Sequence, residues 1–162
     1  MTSCCNTCQP LFNVVTLALS PGSTTQTDPL GSIVTISGFP GSIAVNEGGI
    51  GIGNNGNFTI PITGNYLISA SINLTSQAVA NNTTVNLYIF QTNVLGNSTI
   101  IVQNTQPIPQ SNTTITVSVT IGGTANLSIG DVITFGVSTL NSTFVVNIGS
   151  FFYISRLIAN YC

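Results

Sequence analysis

The chain has 162 residues and a formal net charge of −2. Charged side chains make up 2% of it, where about a quarter is typical. They are Asp28, Glu47, Asp131 and Arg156, and there is no histidine, lysine or tryptophan. Nucleic acid is excluded as a partner, because phosphate contacts need Lys and Arg in number. Acidic substrates are excluded on the same ground. Acid–base catalysis lacks a histidine or lysine base, and the three carboxylates are scattered with no partner motif. The length fits one domain with a real core.

The first element in chain order is a polar tail, residues 1–10. Three of the four cysteines, Cys4, Cys5 and Cys8, lie in it, and the fourth, Cys162, is the last residue. A disulfide framework that staples a small fold spreads its cysteines through that fold. Here the body between the ends has none. Cys4 and Cys5 cannot easily bridge each other, because neighbouring Cα atoms lie about 3.8 Å apart and a disulfide wants about 4.4–6.8 Å. The preferred reading is a tail that links one subunit to another. Ten extended residues reach about 33 Å, enough for that. Two other readings stand beside it. Cys5 and Cys8 have a zinc-knuckle spacing, but a structural zinc wants four ligands and only Cys162 could complete the set within one chain. The thiols could also be inert. No metal and no cofactor is expected.

The body, residues 11–162, reads as one β-rich domain. Residues 11–19 (LFNVVTLAL) form the first expected strand, and residues 20–31 a loop rich in Thr, Gly and Pro. Residues 32–37 (SIVTIS) alternate with the period of a half-buried strand. Residues 46–57 (NEGGIGIGNNGN) are glycine-rich. A phosphate-cradling loop would need a following helix and usually a lysine, so the segment reads as turns and a kinked strand, with Asn55-Gly56 as a hairpin signal. Residues 57–76 hold two strands split near Pro61–Gly64. Further strands are expected over 83–92 and 97–104, with Pro107 and Pro109 in a loop. Residues 112–121 alternate, with Ile115, Val117, Val119 and Ile121 on one face, before Gly122-Gly123 turns the chain. Strands over 131–139, 142–147 and 150–158 complete the set. Many short strands with Gly, Pro and Asn between them argue an all-β sandwich or closed barrel. A membrane β-barrel fits the alternation less well, because the pattern has no charged lumen and few aromatics for girdles. Asp131 is expected to bond nearby backbone at a turn, and Tyr66 and Tyr88 to be core or interface aromatics.

No basic segment followed by an apolar one opens the chain, so no secretory signal is expected. No apolar run is long enough for a membrane helix. Disulfide-suited cysteines without a signal fit a protein made in a cytosol and oxidised later, as on a spore coat or virion. With no histidine and few carboxylates, folding stability should change little between about pH 5 and pH 8.

Three stretches together resemble the complement C1q/TNF-like jelly rolls. Residues 60–69 (IPITGNYLIS) carry the Gly-x-Tyr that leads into a long central strand. Residues 127–133 (LSIGDVI) are similar to the Leu-x-x-Gly-Asp start of a later strand. Residues 151–157 (FFYISRL) look like the closing strand. The resemblance implies a ten-strand jelly roll that usually packs as a trimer, with the first and last strands adjacent. The Asn/Thr-rich, nearly uncharged body resembles the heads of exosporium glycoproteins of the BclA type. The Cys4-Cys5 pair is similar to the N-terminal connector of endospore appendage (Ena-type) pilus subunits, whose tails cross-link neighbours by disulfides. That pattern places a third cysteine much further along, whereas Cys8 follows closely here. The resemblance implies a structural subunit that assembles with itself, by stacked trimers, into an extracellular, disulfide-stabilised fibre on the spore surface. Cys4, Cys5, Cys8 and Cys162 would serve as connector residues, and exosporium anchor and tip proteins as further partners. The alternative is a trimeric recognition head, an adhesin or tip of an exosporium or viral fibre.

Overall fold

A computed structural model describes residues 16–19, 26–28, 31–36, 43–53, 56–146 and 151–157. Among these, regular structure is strand alone, in thirteen segments. They are β1 (Thr16–Leu19), β2 (Gln26–Asp28), β3 (Val34–Thr35), β4 (Ile43–Glu47), β5 (Gly51–Ile52), β6 (Asn57–Thr59), β7 (Gly64–Ser76), β8 (Thr83–Thr92), β9 (Ser98–Ile108), β10 (Ile115–Leu127), β11 (Val132–Leu140), β12 (Phe144–Val146) and β13 (Phe151–Arg156). The tail and all four cysteines, like the first residues of the expected 11–19 strand, lie outside the described residues.

The strands form two sheets in which every pairing is antiparallel. The first has seven strands in the order β2-β12-β7-β13-β1-β4, with β10 on the other edge of β7. β10 covers β7 along its whole length, from Ile115 opposite Ser76 to Leu127 opposite Gly64. The opposite edge of β7 is shared end to end by β12 and β13. The second sheet has six strands in the order β5-β6-β11-β8-β9, with β3 also on β11. β6 and β3 likewise share one edge of β11. This is the jelly-roll sandwich expected from the sequence, with more segments than ten because several strands are broken into such pieces.

Period-two alternation places the apolar positions between the sheets. Tyr66, Ile68, Ile72 and Leu74 of β7 meet Val85, Leu87 and Ile89 of β8 and Ile133, Phe135 and Val137 of β11 in one buried cluster. Phe135 joins the layers. Its ring lies 6.0 Å from Phe58 in its own sheet and 4.9 Å from Phe152 across the core, edge to face in both cases. Burying each such side chain is worth roughly 1.5–3 kcal/mol. The interior is therefore packed with hydrocarbon, as a sandwich requires.

Three expectations are corrected. Gly122-Gly123 does not turn the chain; both lie inside β10, paired with Ser69 and Ile68 of β7. A Cβ on Gly123 would sit 2.7 Å from Val102 Cγ2, so the missing side chain makes room for the one β9 sends inward. Pro107 is not in a loop but in β9, opposite Thr84. β9 ends the strand order of its sheet, and an edge strand tolerates proline because the outer side of its ladder needs no donor. The 20–31 loop contains the short β2, held by β12.

Candidate assembly ends

The long central pair β7–β10 gives the sandwich two ends, about 40 Å apart for thirteen residues of strand. One end carries Gly64, Leu127 and the chain's outer strands. Thr16, at the start of β1, pairs with Ser155 near the end of β13. Arg156 pairs with Tyr66, and Leu157 N–H donates to the Asn65 carbonyl at 2.7 Å. The first and last described strands are thus neighbours, and the first starts and the last ends at this same end. We call it the root. Cys4, Cys5, Cys8 and Cys162 extend from these two strands in sequence and lie outside the described residues.

The root is stiffened by side chains that satisfy its loops. Asp131 is 2% exposed and its Oδ2 accepts from Ser128 N–H at 2.8 Å and Gln91 Nε2 at 2.6 Å. The turn from Ser128 to Asp131 closes with a 3.0 Å backbone bond and needs Gly130 at φ 85°. Asp131 therefore bonds nearby backbone at a turn, as its position before a strand implied. The Tyr66 hydroxyl, fully buried, donates to the Ile62 carbonyl at 2.6 Å. Burial pushes its pKa above the usual tyrosine value, and the nearby positive charge of Arg156 offsets part of that. Tyr88 is buried too, but on the face of its sheet opposite Val85, Leu87 and Ile89, where it stacks on Phe90 and its hydroxyl lies 3.2 Å from Ser138 Oγ.

Two adjacent loops at the root expose large apolar side chains. The β8–β9 loop carries Val94 and Leu95, 71% and 82% exposed, and the Ser128–Asp131 turn carries Ile129, 64% exposed. They touch: a Cβ on Gly130 would lie 2.8 Å from Val94 Cγ1. The loop is held rigid from inside, because Asn93 Oδ1 accepts from Leu95 N–H and Asn97 N–H, both at 3.0 Å. Sequence reading passed over this tip. Its signal was two large apolar residues between Asn93 and Gly96, where a turn normally carries small or polar ones.

The opposite end holds a cleft of about 600 Å³ lined by Thr75, Ser76, Gln77, Ala78, Thr114, Thr143, Phe144 and Val145. Its lining mixes hydroxyl and amide side chains with Ala78, Phe144 and Val145, and Asp28 pairs with Phe144 beside it. The outer face of the first sheet carries hydroxyl pairs, at 2.8 Å between Thr75 and Thr116 and 3.1 Å between Ser71 and Ser118.

The carboxylates do not form a catalytic pair. Asp28 lies opposite Phe144 at the cleft end, whereas Glu47 and Asp131 lie at the root, one exposed and one buried. Among the described residues no group of three His, Cys, Asp or Glu could hold a metal ion, and no helix is long and apolar enough to cross a membrane.

No family model matches the chain, and no curated protein does. Among solved structures it is similar to murine APRIL, in a crystal structure at pH 8.5, a jelly roll of the TNF type. The identity is 14%, the match covers 89% of this chain and 99% of that one, and the TM-score is 0.59. The likeness is one of fold.

Proposed function

We propose that this protein is a structural subunit that assembles with itself, head to tail, into an extracellular, disulfide-stabilised fibre on bacterial endospores. The observation that carries the reading is the pairing of β1 with β13. It sets the start of the first described strand beside the end of the last, at the root. On this reading Cys4, Cys5, Cys8 and Cys162, at the two ends of the sequence, serve neighbouring subunits rather than the fold. The nearly uncharged surface favours association, since little net charge opposes it. Each inter-subunit disulfide makes a contact that no longer depends on concentration. Trimers are the stacking unit on the C1q/TNF-like resemblance, and anchor and tip proteins of the exosporium would complete the fibre.

A non-reducing gel of the oxidised protein tests this. A ladder of high-mass species that collapses on reduction, and is absent when Cys4, Cys5, Cys8 and Cys162 are all changed to serine, is the expected result. The second reading, favoured by the TNF-type fold, is a trimeric recognition head. It predicts one discrete oligomer whatever the redox state.

A further inference from the structure

The apolar tip at the root is built as few surface loops are. Val94, Leu95 and Ile129 come from two loops in contact and stay 71%, 82% and 64% exposed. The backbone N–H groups beneath them are satisfied from within. Asn93 N–H donates to the Asn97 carbonyl at 3.0 Å and Gly96 N–H to the Asn93 carbonyl at 2.9 Å. Leu95 N–H and Asn97 N–H both go to Asn93 Oδ1. In the adjoining turn Ile129 N–H donates to Thr63 Oγ1 at 3.0 Å and Gly130 N–H to the Ile60 carbonyl at 2.8 Å. Ser128 N–H goes to the Asp131 carboxylate, and Asp131 N–H returns to the Ser128 carbonyl. A loop bathed in water has no need of this. A loop entering hydrocarbon must bring its donors already satisfied. The one charged side chain in either loop, Asp131, is buried.

Size and shape select the partner. A stable protein contact takes about 20–30 residues a side, and a projection of three apolar side chains falls well short of that. A lipid surface is fluid and closes round such a projection. Binding to it grows with the apolar area buried and with attraction to anionic headgroups. The second contribution is missing here, because neither loop carries Lys or Arg.

We propose that the Val94–Leu95 and Ile129 loops form a lipid-binding tip, which inserts these three side chains into the acyl region of a neutral bilayer. The proposal goes beyond the fibre reading and does not depend on it. One subunit carries the whole tip, and an assembly that repeats the tip adds avidity.

The full-length protein, held in reductant, is floated with phosphatidylcholine vesicles, with and without added phosphatidylserine. The chain has no tryptophan, so Leu95→Trp places a single reporter at the tip. Wild type is expected to float with phosphatidylcholine alone, equally at low and high salt. Val94→Asp with Leu95→Asp, at exposed positions, is expected to lose flotation. Leu95→Trp is expected to keep it, with emission that moves to shorter wavelength on vesicles and is quenched by brominated acyl chains. Wild type that stays with the soluble fraction overturns the proposal, as does flotation that requires phosphatidylserine or survives in the double Asp variant. Trp emission unchanged by vesicles overturns it independently of how the Asp variant folds. A mass increase in sedimentation without vesicles, lost in the Asp variant, assigns the tip to a second copy and overturns it too. The cysteine-dependent ladder on a non-reducing gel is read separately, so either proposal can fail alone.

Discussion

Thr16 and Ser155 face each other as antiparallel partners, although they stand near opposite ends of the described chain. The pairing makes β1 depend on the last described strand and brings two sequence-distant segments side by side.

Tyr66 reports on the root. Replacing it with Phe removes the donor to the Ile62 carbonyl and should cost about 1 kcal/mol. For a domain of this size that lowers Tm by about 2–4 °C in a thermal melt.

The same residue sets the alkaline limit. Its folded pKa is raised by burial, so the folded state holds the phenol proton more tightly than the unfolded chain does. That contribution is fully present below about pH 10, the unfolded value, and is lost as pH rises through the folded one. Denaturant midpoints should be flat between about pH 5 and pH 8 and fall above about pH 10, and the fall should be smaller in Tyr66→Phe.

Asp131 should be the most sensitive charged position. Asp131→Ala leaves the Ser128 N–H and the Gln91 amide without their acceptor in a buried site. A loss of about 2–3 kcal/mol is expected from denaturant titration. Glu47→Ala, at an exposed site, should stay within about 0.5 kcal/mol.

Two glycines should respond differently to alanine. At Gly136 a Cβ meets Phe90 Cε2 at 2.8 Å, in a ring stacked on Tyr88, and the half-exposed Ile33 Cγ2 at 3.1 Å. Gly136→Ala should cost about 1–3 kcal/mol. At Gly64 the obstacle is the Arg156 side chain, at 2.5 Å from Nε. A long flexible chain can move aside, so Gly64→Ala should cost less than Gly136→Ala in parallel melts.

Thr139 is 1% exposed and its hydroxyl has no hydrogen-bond partner among the described residues. Thr139→Val removes that uncompensated group at nearly constant volume and should raise stability by about 1 kcal/mol.

Much of the fold was legible because alternation is a strong local signal. The 83–92 strand matches β8 to the residue, and the two faces of β10 are those read from Ile115, Val117, Val119 and Ile121. What was not legible depends on a neighbour. Gly122-Gly123 reads as a turn until Val102 is seen to fill its space. Pro107 reads as a loop until β9 is known to be an edge. The tip formed by Val94, Leu95 and Ile129 joins loops from separate strand pairs, so no single stretch announces it. The cysteines stood out at once, but all four lie outside the described residues, and no pattern in the sequence fixes their pairing.

The most direct test of the central claim is electron microscopy of the oxidised full-length protein beside a form lacking residues 1–10. Filaments from the full chain and compact oligomers from the shortened one are the predicted result, with the tail as connector and the body as an independent unit. Discrete particles of the same size in both samples would contradict it.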